Sequence, residues 1–141
     1  MTGPSAVVAG LGGALPDRRV TNSELEAMME TTDEWIRART GIGARYWSSG
    51  VSTSDLAVAA GSRALASARV DAVDLVIVAT TTPDFRCPAT APSVAARLGL
   101  GPVPAFDISA VCSGFVFGLA TANAYIGSGV ARSVLERVSQ I

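Results

Sequence analysis

The sequence predicts an α/β layered fold with a mostly parallel sheet, and three observations carry that expectation. Short apolar runs at residues 6–11, 73–79 and 103–108 alternate with stretches of helical apolar spacing. Leu75, Val76, Ile77 and Val78 form an unbroken apolar run, which a parallel strand covered on both faces requires. The helical stretches are rich in Ala and Gly, so neighbouring layers can approach closely.

Taken in order, residues 6–11 contain Val7 and Val8 and end in Gly12 and Gly13, the pattern of a buried strand followed by a turn. Thr21 precedes Glu24 by three residues, a capping-box spacing, and Leu25, Met28 and Met29 would give that helix its apolar face. A second short helix is expected over residues 32–39, with Asp33 and Glu34 suited to the positive end of its dipole and Gly41 and Gly43 closing it. Tyr46 to Gly50 is expected as loop. Residues 53–68 should form a longer helix, 73–79 a central strand, 83–92 a loop and 93–98 a helix. Residues 103–108 make a further strand, and 115–126 a second Ala/Gly-rich helix stopped by Gly127 and Gly129. After Ser133, Val134 and Leu135 the strand pattern gives way abruptly to Glu136 and Arg137, as though strand residues were missing. No repeat, linker or low-complexity segment marks a domain boundary, so residues 1–141 are expected as one small domain or a piece of a larger one.

Composition narrows the function classes. The chain is 49% hydrophobic and 16% charged, enough to bury a core and too apolar for a disordered segment. Its 11 basic residues, all Arg, and 12 acidic residues are scattered, so no stripe suits nucleic acid or an anionic membrane. The apolar start lacks a basic lead and is broken by Pro16, and no run reaches the length of a membrane span, so a cytoplasmic setting with free thiols is expected. The chain contains no histidine. It cannot by itself assemble a Cys–His pair, a Ser–His–Asp triad or a His-containing metal site.

There are two cysteines, Cys87 and Cys112. Residues 107–115, Asp-Ile-Ser-Ala-Val-Cys-Ser-Gly-Phe, read as a strand end, a tight turn and a helix beginning at or just after Cys112. A thiol at a helix start faces unpaired N–H groups and the positive dipole end, and both favour the nucleophilic thiolate. The small Ser113 and Gly114 would leave room for a substrate. A cysteine can equally be a small buried hydrophobe, and both readings stand on spacing alone. For Cys87, between Arg86 and Pro88, packing is the stronger reading. The cluster from Gly10 to Leu15 lacks the third glycine of a dinucleotide fingerprint and runs into Pro16, so it reads as an ordinary strand-to-turn glycine cluster far more readily than as a nucleotide-binding Rossmann module.

The 107–115 segment, with residues 31–42 and 76–84, resembles in order three motifs of the β-ketoacyl-acyl carrier protein synthase III family. The resemblance runs from about residue 6 to 135 and corresponds to the N-terminal half of a five-layer αβαβα thiolase-like fold. It implies that Cys112 takes an acyl group from acyl-CoA as an enzyme thioester, with its own N–H contributing to an oxyanion hole. Trp35 would stack on the CoA adenine, Arg39 and Thr40 would hold the nucleotide's polar end, and Thr31 would make a nearby contact. Cys87 falls where the family places a residue that reaches towards the partner subunit's acyl pocket. The implied reaction is decarboxylative condensation with malonyl-acyl carrier protein, starting fatty acid or polyketide synthesis. The enzyme would be a homodimer with acyl-CoA as substrate and no separate cofactor.

The family's His and Asn, which activate malonyl-acyl carrier protein, belong to its second half and have no counterpart here. Such a half should leave apolar surface uncovered. Two alternatives stay open: an acyltransferase of the same fold that does not condense, and a non-catalytic half that serves only as a structural or dimer-forming partner.

Overall fold

The computed structural model describes residues 5–138. They form two compact units, one of residues 15–51 and one made from the chain before Leu15 together with everything from Ser52 onward.

In the smaller unit, β1 (Arg18–Thr21) pairs antiparallel with β2 (Ala44–Trp47), Arg18 opposite Trp47 and Thr21 opposite Ala44. Tyr46 and Trp47, expected as loop, are the second half of β2. Both strands are four residues long and β2 shows no inside–outside alternation, so the periodicity that signals a strand is absent. The capping box forms as expected: Glu24 N–H donates to the Thr21 hydroxyl and Thr21 N–H to Glu24 Oε1 at 3.0 Å, opening α1 (Asn22–Glu26). That helix stops before Met28 and Met29, which are exposed and supply no core face; Val20, Leu25 and Ile36 are the core. The second helix, α2 (Asp33–Thr40), is capped by the Thr32 hydroxyl and ends on Gly41, whose φ of 71° suits a residue without a Cβ.

The larger unit is a three-stranded parallel sheet in the order β4 (Ala105–Ile108), β3 (Leu75–Ala79), β5 (Val134–Val138). All five residues of β3 are buried. On one face Val76, Val78 and Leu135 meet α3 (Thr53–Ala68) and α4 (Thr90–Arg97) through Ala57, Ala91, Val94 and Ala95. On the other, Leu75 and Ile77 meet α5 (Gly114–Gly127) through Ala122 and Tyr125. Each aliphatic side chain so buried contributes about 1.5–3 kcal/mol. The helix–sheet–helix arrangement agrees with the α/β expectation. Among the described residues, no helix is long and apolar enough to cross a membrane.

Three further sequence expectations change. Residues 6–11 form no strand: Val7, Val8 and Leu11 are exposed, Ala6 N–H donates to Asn123 Oδ1 and Leu11 N–H to the Ser67 hydroxyl. The segment lies along helices, with a Cβ at Gly12 falling 2.2 Å from the Ala60 carbonyl oxygen, and so takes no place in the sheet. Helix α4 begins at Thr90, not residue 93, because Pro92 sits in the first turn, where a missing N–H costs nothing. Strand β5 continues through Glu136 and Arg137 to Val138, since ladder bonds to β3 do not depend on side-chain polarity. The Glu136 side chain lies against Gly118 of α5, while Arg137 donates to the carbonyls of Leu56 and Ala57.

Candidate active site

Cys112 stands on the turn that joins β4 to α5. The chain leaves the sheet at Ile108, makes a 3-10 turn over Val111–Ser113 and enters α5 at Gly114. Val111, immediately before the thiol, has φ of 48°. A β-branched residue in that region carries strain of about 1–3 kcal/mol, and such strain concentrates where a side chain must be presented in a fixed direction. At Gly114 a Cβ would stand 3.0 Å from the Ala79 Cβ, so glycine lets the first turn of α5 settle on the end of β3. Neither the 3-10 turn nor α5 has a side-chain cap; the turn is closed by backbone bonds, Ser113 N–H donating to the Ala110 carbonyl at 3.0 Å and Gly114 N–H to that of Val111.

Cys112 is an exposed free thiol. Within the described residues nothing packs over the thiol, as a buried hydrophobe would require. The surface beyond it is apolar: Phe115, Val116 and Phe117 on α5 are each about half exposed or more. This is the uncovered apolar surface that the sequence leads one to expect.

Cys87 is also an exposed free thiol, so the packing reading does not hold there either. It lines a shallow cleft of about 300 Å³ with Asp84, Phe85, Pro88, Thr90 and Ser93. Two carboxylates hold the ends of this loop. Asp84 Oδ1 accepts from Ser54 N–H at 3.1 Å, at the start of α3. Asp107 Oδ2 and Oδ1 accept from Thr90 and Ala91 N–H at 2.7 and 2.8 Å, capping α4 in place of Ala89, which has no capping side chain.

The other expected residues lie in the smaller unit. Trp35 and Arg39, one turn apart on α2, are both exposed, and the Arg39 guanidinium stacks 4.3 Å from the centre of the indole. Thr40 is committed locally: its hydroxyl donates to the Ile36 carbonyl at 2.7 Å and accepts from Ile42 N–H at 3.1 Å. Thr31 is half-buried one residue before the true cap, Thr32. The start of α2 is fixed by Asp33, which accepts from buried Asn22 at 2.6 Å and from Arg37 at 2.8 Å. These bonds, that from Asn22 foremost, hold the Asp33 carboxyl below its ordinary pKa.

Comparison with known proteins narrows what an exposed thiol on a strand–turn–helix can serve. Residues 106–138, which include Cys112, match the sequence pattern of 3-oxoacyl-[acyl-carrier-protein (ACP)] synthase III. A β-ketoacyl-[acyl-carrier-protein] synthase III of Streptomyces coelicolor is 64% identical over 131 residues, 93% of this chain and 40% of the relative. The Pseudomonas aeruginosa PAO1 structure of 3-oxoacyl-(acyl carrier protein) synthase III superposes with a TM-score of 0.92 at 48% identity, covering 97% of this chain and 43% of that one. The chain is synthase III-like in sequence and fold.

A priming β-ketosynthase from the R1128 polyketide pathway also superposes, with a TM-score of 0.89 at 37% identity over 94% of this chain and 41% of that one. The fold is thus the thiolase-like one that the synthase III resemblance implied. The chain spans about 40% of the length of the curated synthase III relatives it matches.

Several residues that shape the site escaped the sequence. Asp107 lay in view within the 107–115 motif, but only the fold brings its carboxylate to Thr90 and Ala91. The left-handed Val111 leaves no compositional trace. Thr32 could have been found, since Thr before Asp33 and Glu34 is an ordinary N-cap signal.

Proposed function

We propose that the chain supplies the nucleophile and part of the CoA grip of a 3-oxoacyl-acyl carrier protein synthase. The Cys112 thiolate attacks the acyl-CoA thioester carbonyl, the Cys112 backbone N–H contributes to stabilising the tetrahedral oxyanion, and CoA leaves as its thiolate while an acyl–Cys112 thioester forms. Trp35 covers the adenine and Arg39 meets the phosphates, with Thr31 and Thr40 flanking. Malonyl-acyl carrier protein then loses CO2, and its carbanion attacks the acyl–Cys112 thioester. The 3-oxoacyl product forms on the carrier and the Cys112 thiolate is released. This second step calls for the family's His and Asn, which a chain without histidine does not contribute. The homodimer and the reach of the Cys87 loop towards a partner's acyl pocket belong to the same proposal.

The observation that carries this reading is the exposed Cys112 on an uncapped turn into α5, behind the left-handed Val111. The test is product analysis with acyl-CoA and malonyl-acyl carrier protein. A protein containing this chain together with the family's second half should form 3-oxoacyl-carrier product, and Cys112→Ala should abolish it. Acyl exchange without ketoacyl product would replace this reading by the non-condensing acyltransferase, which the absence of histidine favours for the 141 residues alone. The wide apolar surface of α5 favours a structural role, and that role gains if Cys112 takes up no acyl group.

A further inference from the structure

Cys87 and Cys112 lie 25 positions apart in sequence, yet their segments are tied to one carboxylate. Asp107 sits on β4, five residues before Cys112, in register with Val78 of the buried central strand. Both its oxygens are used: Oδ2 accepts from Thr90 N–H and Oδ1 from Ala91 N–H. Those amides open α4, and Cys87, Pro88 and Ala89 lead directly into them. A carboxylate that receives two helix-start N–H groups is charge-assisted on both bonds and fixes direction as well as distance.

From this we infer that Asp107 is a positioning residue of the acyl-transfer site. It locks the cleft loop carrying Cys87 to the strand end from which the Cys112 turn departs. Loss of the lock loosens both segments, because β4 is at the edge of the described sheet and is held by β3 on one side only. The inference rests on the reading of Cys112 as the acylated nucleophile, but its test does not use acyl-CoA.

Two substitutions probe it. Asp107→Asn keeps the shape but leaves one acceptor oxygen in place of two and removes the charge. Thr90→Pro removes one donor and keeps the Asp107 charge, and its ring takes the place of the amide hydrogen that meets Asp107 Oδ2, so the carboxylate is pushed out of the lock. The backbone itself accepts proline, because residue 90 opens α4 and Ala89 already has the extended conformation (φ −62°, ψ 158°) that a following proline demands. The measurement is the pH profile of Cys112 alkylation by iodoacetamide, followed by peptide mass spectrometry so that Cys87 is scored separately. Amide hydrogen exchange is recorded alongside.

Positioning predicts that both variants raise the Cys112 midpoint, slowing alkylation at neutral pH about threefold as the thiol loses its place at the helix start. Exchange should quicken both at residues 87–91 and at 109–114. Loss of negative charge alone would move the midpoint the other way in Asp107→Asn and leave Thr90→Pro unchanged. An unchanged or lowered midpoint, with faster exchange confined to Thr90 and Ala91, overturns the inference and leaves Asp107 as a helix cap only. If Asp107→Asn fails to fold, Thr90→Pro decides by the same criteria. A raised midpoint in a protein whose Cys112 takes no acyl group from acyl-CoA would sustain the positioning role and discard the proposed reaction alone.

Discussion

The guanidinium of Arg39 lies 4.3 Å from the centre of the Trp35 indole, so the two residues best suited to grip a nucleotide are stacked on each other. They stand four residues apart on α2, the spacing that places side chains one above the other on a helix. At an exposed site such a contact is worth about 0.5–1 kcal/mol, small enough for an adenine to displace it or to take the free indole face. Titration with CoA in a Trp47→Phe background, where Trp35 is the sole tryptophan, should quench indole fluorescence. Arg39→Ala should weaken CoA binding about tenfold, the size of a lost hydrogen bond to a charged group. Equal affinity in Arg39→Ala would remove Arg39 from the CoA grip.

Glu136 makes the larger unit sensitive to pH. It points from the sheet towards α5, and its Oε1 is buried without a hydrogen-bond partner. Burial pushes its carboxyl up to about 7 from 4.5, against a smaller opposing pull from Arg137. In the interval between those values the folded chain holds a proton that the unfolded chain has lost. Stability from this group is therefore fully present below 4.5 and falls as pH rises to about 7. Because the side chain is only partly buried, screening reduces the effect to about 1 kcal/mol. Urea unfolding across this interval should show the decline, and Glu136→Gln should flatten it.

Gly118 and Glu136 should be energetically coupled. A Cβ at Gly118 would fall 2.4 Å from Glu136 Oε1 and 2.7 Å from its Cγ. Overpacking of this kind costs about 1–3 kcal/mol, against about 1 kcal/mol gained from replacing glycine by alanine within a helix. Gly118→Ala is thus expected to destabilise by about 1 kcal/mol, and Gly118→Ala with Glu136→Ala to exceed the parent. Additive effects in the double-mutant cycle would contradict the contact.

The parts of this protein that were legible in its sequence are those specified locally. The buried run of β3 declares itself by hydrophobicity, α2 by Asp33, Glu34 and Gly41, and the turn into α5 by small residues around Cys112. What escaped depends on distant partners. The segment holding Val7 and Val8 reads as a strand, but its N–H groups go to Asn123 and Ser67, more than 50 positions away. β2 exists because Arg18 to Thr21 lies beside it, not because its own pattern alternates. Pro92 looked like loop because a helix start at Thr90 is supported by Asp107, which local propensity cannot register. Cys112 itself was found by motif, whereas its exposure and the strain at Val111 needed coordinates.

The most direct test of the central claim is intact-protein mass spectrometry of the 141-residue chain after incubation with acetyl-CoA, with peptide mapping of both thiols. The account predicts one acetyl group, carried by Cys112 as a hydroxylamine-labile thioester and absent from Cys112→Ala. An unmodified chain, or label that persists in Cys112→Ala, would contradict it.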